Sequence, residues 1–284
     1  MKLRVGRDRA ASTYQKLEQG RKYVADFMAS QLSRADIPLC ELSLSFIDDF
    51  ATWLQTVWQL RDGTVWLACQ LLKGVVTRAY HRGLLPRNPF CQFHIPKNIR
   101  PREFLTEDEL ISLISRDFKK RHLALARDIF VFSSLTGLSF IDIKELLPAA
   151  LFNINGERWI IARRHKTQVQ FLVRLLPKPL EIIARYGQTG DGPIFGNLQY
   201  RTLAKNIKQV MKECGFSRNI TMHCARHTFA VLALNKGMPI ESVSRVLGHT
   251  NITTTQLYAR ITMLKLSADF KHLEQATPLL QTLT

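Results

Sequence analysis

The chain has 284 residues, 46% of them hydrophobic, and its 40 Lys and Arg against 23 Asp and Glu leave a net charge of +17. That composition supports a buried core in one large or two ordinary domains, and no apolar run of about 18 residues is present to span a membrane. Residues 1–9 are too polar and too charged to hold a signal-peptide core. The basic excess falls on both sides of Asn98. A body that is basic throughout is expected to meet a polyanion, most commonly nucleic acid; ribosomes, acidic membranes or solubility alone are the other readings. Five cysteines (Cys40, Cys69, Cys91, Cys214, Cys224) show no CxxC spacing and are odd in number. This speaks against a zinc ribbon or a disulfide framework and fits reduced thiols in a cytoplasmic protein.

In chain order, residues 12–32 carry Leu17, Val24, Phe27, Met28 and Leu32 at mostly helical spacing. Residues 45–58 carry a second stripe of Phe46, Ile47, Phe50, Trp53, Leu54 and Val57. Asp62 is a plausible N-cap for a third helix through Val65, Ala68, Leu72, Val76 and Ala79, ending near Gly83. Most of these stripes are core. Pro86, Pro89, Pro96 and Pro101 then interrupt regular structure among basic residues, which predicts a stiff linker. The expected division is a helical domain over 1–95, a linker over 96–104 and a second domain over 105–284. Thr106 and Glu109 have capping-box spacing at the start of that domain. Helices are expected over 123–135 and 139–146. Residues 158–175 alternate and are rich in Ile, Val and Phe, which predicts a β-hairpin or short meander with a basic tip at 163–168. Helices resume over 200–214, 222–236 and 240–247, and a further helix covers 261–273 before a tail with Pro278, Leu279 and Leu280. The fold class is therefore mainly α with a small β-hairpin or sheet.

Three pieces of the second domain carry candidate chemistry. His223 and Arg226 lie one helical turn apart at the start of a helix, so both can address one anion, and the helix N-terminus adds positive potential. His223 and His227 also have the spacing of a metal pair, but the glutamate of the zinc-protease pattern and a third ligand are missing, so no metal is expected. Gly248-His249 can be a helix-ending turn, and Tyr258 can be a half-buried aromatic. Thr253, Thr254 and Thr255 are β-branched, so the short helix before Tyr258 should be marginal and mobile, or else a simple threonine-capped turn.

Taken in order, His223-x-x-Arg226, Leu247-Gly248-His249 and Tyr258 resemble the C-terminal signature of the tyrosine recombinase (phage integrase) family. Upstream, residues 135–146 resemble that family's first arginine box, and Lys166 at the hairpin tip matches its catalytic lysine. The resemblance extends over essentially the whole chain. One position departs: Ser139 stands where the family normally has an arginine, as in the conjugative-transposon and mobile-element branch of integrases.

The resemblance implies a two-domain DNA clamp, with a SAM-like core-binding domain and a mixed α/β catalytic domain whose C-terminal tail contacts a neighbouring protomer. It implies site-specific recombination, as integration and excision or as inversion, through a 3′-phosphotyrosyl intermediate and without metal, ATP or other cofactor. Tyr258 is the implied nucleophile, Arg226 the phosphate clamp and His249 a second phosphate donor. His223 is the implied base and Lys166 the acid for the leaving 5′-oxygen. Ser139 is neutral and cannot replace a guanidinium charge, although its hydroxyl can bond a phosphate oxygen; Lys144, Arg163 and Arg164 are the nearby cations that can compensate. Lys73, Arg78, Arg82, Arg163 and Arg164 are candidate DNA contacts, as are Arg4, Arg7, Arg9 and Arg87. The implied partners are double-stranded DNA, a homo-tetramer on two sites (monomer or dimer off DNA) and a DNA-bending accessory protein, in the nucleoid of the cytoplasm. No arm-binding domain is visible before Arg7, so the chain reads as a minimal or truncated form. The alternatives are a catalytically weakened DNA-binding protein of the same fold and a relaxing topoisomerase with the same phosphotyrosine chemistry.

Overall fold

The computed structural model describes residues 11–94, 103–165, 168–187, 191–256, 258 and 263–276, and the chain divides into two compact units, Met1–Pro101 and Arg102–Thr284. Among the described residues three α-helices build the first unit: α1 (Ala11–Gln31), α2 (Leu44–Thr56) and α3 (Asp62–His81). The Ser43 hydroxyl accepts from the Phe46 N–H at 3.3 Å and so caps α2. The apolar stripe of α2 then drives Ile47, Phe50 and Leu54 to full burial against Phe27 of α1 and Val65 and Val76 of α3. Asp62 is the first residue of α3 and not its cap; Arg61 holds the cap position without a side-chain bond. The chain after α3 does not leave this core at Pro86, because Leu85, Phe90 and Phe93 pack back into it. Lys73 ties that return down by donating to the Phe93 carbonyl at 2.9 Å.

The second unit is organised around α5 (Arg121–Thr136), which follows α4 (Glu107–Ser115). Thr106 and Glu109 form the expected capping box at the start of α4. Along α5, Ala126, Ile129, Phe130, Val131, Phe132, Ser133 and Thr136 are all buried, so the helix is enclosed on every side. Its enclosing partners include α7 (Pro177–Tyr186), α8 (Tyr200–Glu213) and α9 (Met222–Asn235). Each fully buried Phe or Leu in this core contributes roughly 1.5–3 kcal/mol. After the short α6 (Phe140–Lys144), an antiparallel sheet runs in the order β1 (Leu151–Ile154), β2 (Glu157–Arg163) and β3 (Gln170–Arg174). The sheet is thus a three-stranded meander, one strand more than the hairpin. Asn155 and Gly156, both at positive φ, make the tight β1–β2 turn. Beyond the sheet come α7, α8 and α9, then α10 (Ile240–Leu247), α11 (Thr253–Gln256) and α12 (Met263–Ala276). Pro177 and Pro179 stand in the first turn of α7, where a missing N–H costs little. Among the described residues no helix is long and apolar enough to cross a membrane.

Candidate active site

Two helices end in glycine at the same place. α5 stops at Gly137 (φ 69°) and α10 stops at Gly248 (φ 60°), both left-handed. Helix C-termini carry unsatisfied carbonyls and partial negative charge, which favour a cation. Arg226, in the first turns of α9 and only 8% exposed, takes that place. Its Nη1 donates to the Gly137 carbonyl at 2.8 Å and its Nη2 to the Leu247 carbonyl at 2.5 Å. A guanidinium held by backbone dipoles needs no carboxylate partner, so its charge is left for an incoming anion. Burial and the neighbouring Arg164 charge lower its pKa to about 10, so it stays protonated at neutral pH.

The same Nη2 lies 3.0 Å from His249 Nε2, and His249 Nδ1 lies 2.9 Å from the Thr255 hydroxyl. Arginine only donates, so Nε2 must accept and the ring proton sits on Nδ1, facing Thr255. Burial, then the Arg226 and Arg164 charges, push the imidazole down to about 4, so it is neutral at physiological pH. Thr255 is fully buried in α11, and the Tyr258 N–H donates to its carbonyl at 2.9 Å. The short threonine helix therefore links the histidine to the tyrosine. The Tyr258 ring lies 6.3 Å from the His249 ring, nearly parallel to it, and 4.8 Å from the His227 ring. His227 is buried and meets the exposed His223 edge-on at 4.5 Å. Four of the expected residues (Arg226, His249, Tyr258 and, through His227, His223) thus converge. Among the described residues no three of His, Cys, Asp and Glu gather as a metal site requires.

Ser139 is turned onto Asp142. Its hydroxyl donates to Asp142 Oδ2 at 2.6 Å, and its N–H reaches the same oxygen at 3.3 Å. Asp142 also accepts from Arg164 Nη1 at 2.5 Å and from the His165 N–H at 3.3 Å. Burial pushes the Asp142 carboxyl up, but Arg164 and these hydrogen bonds outweigh it and hold the pKa below the ordinary value. Of the candidate DNA contacts, Arg78 and Arg82 are exposed on and just after α3, and Arg163 is exposed at the end of β2, donating to the Gln168 carbonyl at 3.2 Å. Arg164 is different: it is 5% exposed, folded inward and not on the solvent side of the hairpin tip. Lys73 is half-buried and engaged with Phe93. Lys166, Arg4, Arg7 and Arg9 lie outside the described residues, as does the tail beyond 276. Sequence reasoning missed the parts played by Thr255 and His227. The only signal for Thr255 was its place one helical turn before Tyr258.

The site sets a buried guanidinium and a neutral imidazole beside the ring of Tyr258. Residues 103–265 match the Phage integrase family and residues 3–95 match the Phage integrase SAM-like domain. The chain belongs to the phage integrase family and is a tyrosine-type site-specific recombinase. It is 26% identical over 232 residues to the tyrosine recombinase XerC of Lactobacillus leichmannii, covering 77% of this chain and 79% of that protein. Its fold is similar to that of the Tn1549 transposon integrase (residues 82–397) in complex with a circular intermediate DNA, with a TM-score of 0.76, 18% identity, and 95% and 96% of the two chains covered. A lambda integrase dimer bound to a core site is similar at a TM-score of 0.69 and 18% identity, with 90% and 91% covered. The reading as a catalytically weakened DNA-binding protein and the reading as a relaxing topoisomerase are not favoured.

Proposed function

We propose that this recombinase binds double-stranded DNA and breaks each strand by attack of the Tyr258 hydroxyl on the scissile phosphorus. The tyrosyl oxygen forms a bond to the 3′-phosphate while the bond to the 5′-oxygen breaks. The bond energy is kept in the phosphotyrosyl ester, and a 5′-hydroxyl from another strand reverses the step, so neither ATP nor a metal is required. Arg226 clamps the non-bridging oxygens with its planar fork. His223, reached through His227, is the candidate base for the tyrosine proton. Lys166 protonates the departing 5′-oxygen. His249 is neutral before DNA arrives, and its Nε2 is an acceptor. Burial depresses its pKa most and the Arg226 and Arg164 charges add to that; a bound phosphodiester offsets those charges and so favours the protonated imidazole, which can donate to the phosphate.

What carries the reading is the placement of Tyr258 beside His249, itself in contact with a buried arginine that has no carboxylate partner among the described residues. Exposed Arg78, Arg82 and Arg163 supply backbone contacts, so affinity falls with salt at a log–log slope of roughly −0.9 per phosphate neutralised. Leu266, Phe270 and Leu273 are exposed along one face of α12. That face, with the segment after it, is the proposed contact with a neighbouring protomer in a tetramer on two DNA sites. Integration and excision between mobile-element ends is the proposed reaction, with a DNA-bending protein assisting in the nucleoid.

The test uses a library of duplexes nicked at varied positions, so that cleavage releases a short strand and traps the covalent complex. Sequencing the DNA retained after denaturation also maps the site. Wild type is expected to retain one sequence class, and Tyr258→Phe to bind it without retaining it. Equal retention by Tyr258→Phe, or none by wild type, would overturn the reading.

A further inference from the structure

The loss of an arginine at position 139 poses a charge problem, because phosphoryl transfer needs positive charge on the non-bridging oxygens. We propose that Arg164 supplies the second guanidinium of the phosphate site, and that Ser139 acts on it from behind as a positioning residue. This rests on the strand-cleavage reading above.

Arg164 follows β2 directly, two positions before Lys166 in the sequence, yet its side chain turns into the unit. Its Nη1 donates to Asp142 Oδ2 at 2.5 Å, its Nη2 donates to the Val246 carbonyl at 2.7 Å, and its guanidinium carbon lies 4.1 Å from the centre of the Phe171 ring. Val246 and Leu247 are the last residues of α10, so the helix end that holds Arg226 through one carbonyl holds Arg164 through the preceding one. Gly248 lies against the Arg164 side chain, since a Cβ there would stand 2.7 Å from its Nε and 2.8 Å from its Cγ. The residue after Gly248 is His249. Arg164 is thereby fixed beside the other two phosphate-facing groups, and its charge reaches both: it lowers the pKa of Arg226 and of His249.

Two further observations separate a working guanidinium from a structural one. A guanidinium carries five N–H donors, and among the described residues the hydrogen bonds of Arg164 use one N–H of Nη1 and one of Nη2, which leaves the second N–H of each for an anion. Among the described residues Arg226 and Arg164 are set against one carboxylate, Asp142, which leaves one net positive charge to match one phosphodiester. A pair needed only for packing is expected to be neutral and fully bonded. The hydroxyl of Ser139 completes the device by donating to the Asp142 oxygen that Arg164 also engages. The missing charge is therefore supplied from the β2–β3 loop.

The experiment compares covalent trapping on the duplex selected by wild type with trapping on the same duplex carrying a neutral methylphosphonate at the scissile position. The variants are Arg164→Gln, Arg164→Lys and Arg164→Gln with Asp142→Asn. The double variant removes the buried carboxylate together with its partner, so it remains informative if the single glutamine variant fails to fold. On the phosphate substrate, trapping is expected to fall about 10²–10³-fold for the double variant and less for Arg164→Lys, with DNA binding retained. On the neutral substrate the deficit is expected to close, because no charge remains to be offset. Wild-type trapping by the double variant would show that Arg164 only neutralises Asp142, and an equal deficit on both substrates would show a packing role; either overturns the proposal. Failure of wild type itself to trap DNA sinks instead the strand-cleavage reading.

Discussion

Gly137 is the position where stability and chemistry are most tightly joined. It ends α5 at φ 69° and its carbonyl accepts from Arg226 Nη1 at 2.8 Å. A Cβ at this position would stand 2.7 Å from Phe229 Cδ1 and 3.0 Å from Leu247 Cδ2. Gly137→Ala therefore incurs two costs: about 1–2 kcal/mol for a left-handed side-chain-bearing residue and about 1–3 kcal/mol for crowding a packed wall. The sum of roughly 2–5 kcal/mol, in a unit of this size, lowers the melting temperature by roughly 5–15 °C. Relief by moving the backbone outward takes the carbonyl away from Arg226, so trapping measured well below the melting point should also fall, by about 10-fold or more. Phe229→Leu in the same chain removes the nearer ring edge and is expected to recover the crowding part of the loss but not the backbone part. Calorimetric melts of the three proteins decide this. A Gly137→Ala protein that melts within about a degree of wild type, or one that Phe229→Leu does not help, refutes the reasoning.

Three further outcomes are expected. His249 should stay neutral down to about pH 4 in the free protein, with its proton on Nδ1, as ring nitrogen shifts in NMR will report. Because its folded pKa lies below the ordinary value, the unfolded chain binds more protons between about 6.5 and 4, so His249 contributes a loss of stability as pH falls through that window. A titration midpoint near 6.5 in the folded protein, or a His249→Gln variant with an unchanged pH slope, refutes this. Thr255→Val removes the hydroxyl 2.9 Å from His249 Nδ1 and should slow covalent trapping about 10-fold with DNA binding intact, while Thr255→Ser keeps the rate. Asp128→Ala removes the carboxylate that accepts from Arg185 and Tyr186, each at 2.8 Å, and should cost about 3–5 kcal/mol in denaturant unfolding with trapping per folded molecule unchanged.

Periodicity marked α2, α3, α5 and α8–α10 because each places an apolar face toward a core and the spacing of that face survives in the sequence. Two elements were passed over although their signals were present. Asn155-Gly156 is the strongest short hairpin cue, and it closes β1 onto β2; Pro177 and Pro179 open α7 at the positions where a helix tolerates proline. Leu85, Phe90 and Phe93 bury apolar surface in the first core in spite of the prolines around them.

For the site, the sequence alone determined the residue types and their order: His223, Arg226, His249 and Tyr258, with Ser139 in place of an arginine. Spacing along one helix, and a short step from a helix end to a tyrosine, are local properties that a sequence records directly. Only the tertiary structure decided how these groups are held. The carbonyls of Gly137 and Leu247 that hold Arg226, the Thr255 hydroxyl that sets the His249 tautomer, and the Asp142 carboxylate that draws Arg164 inward all come from other parts of the chain. Which of Lys144, Arg163 and Arg164 would turn inward depended on contacts 22 and 82 residues away, to Asp142 and Val246. Such pairings arise from the packing of helix ends against a hairpin, and linear spacing carries no trace of them.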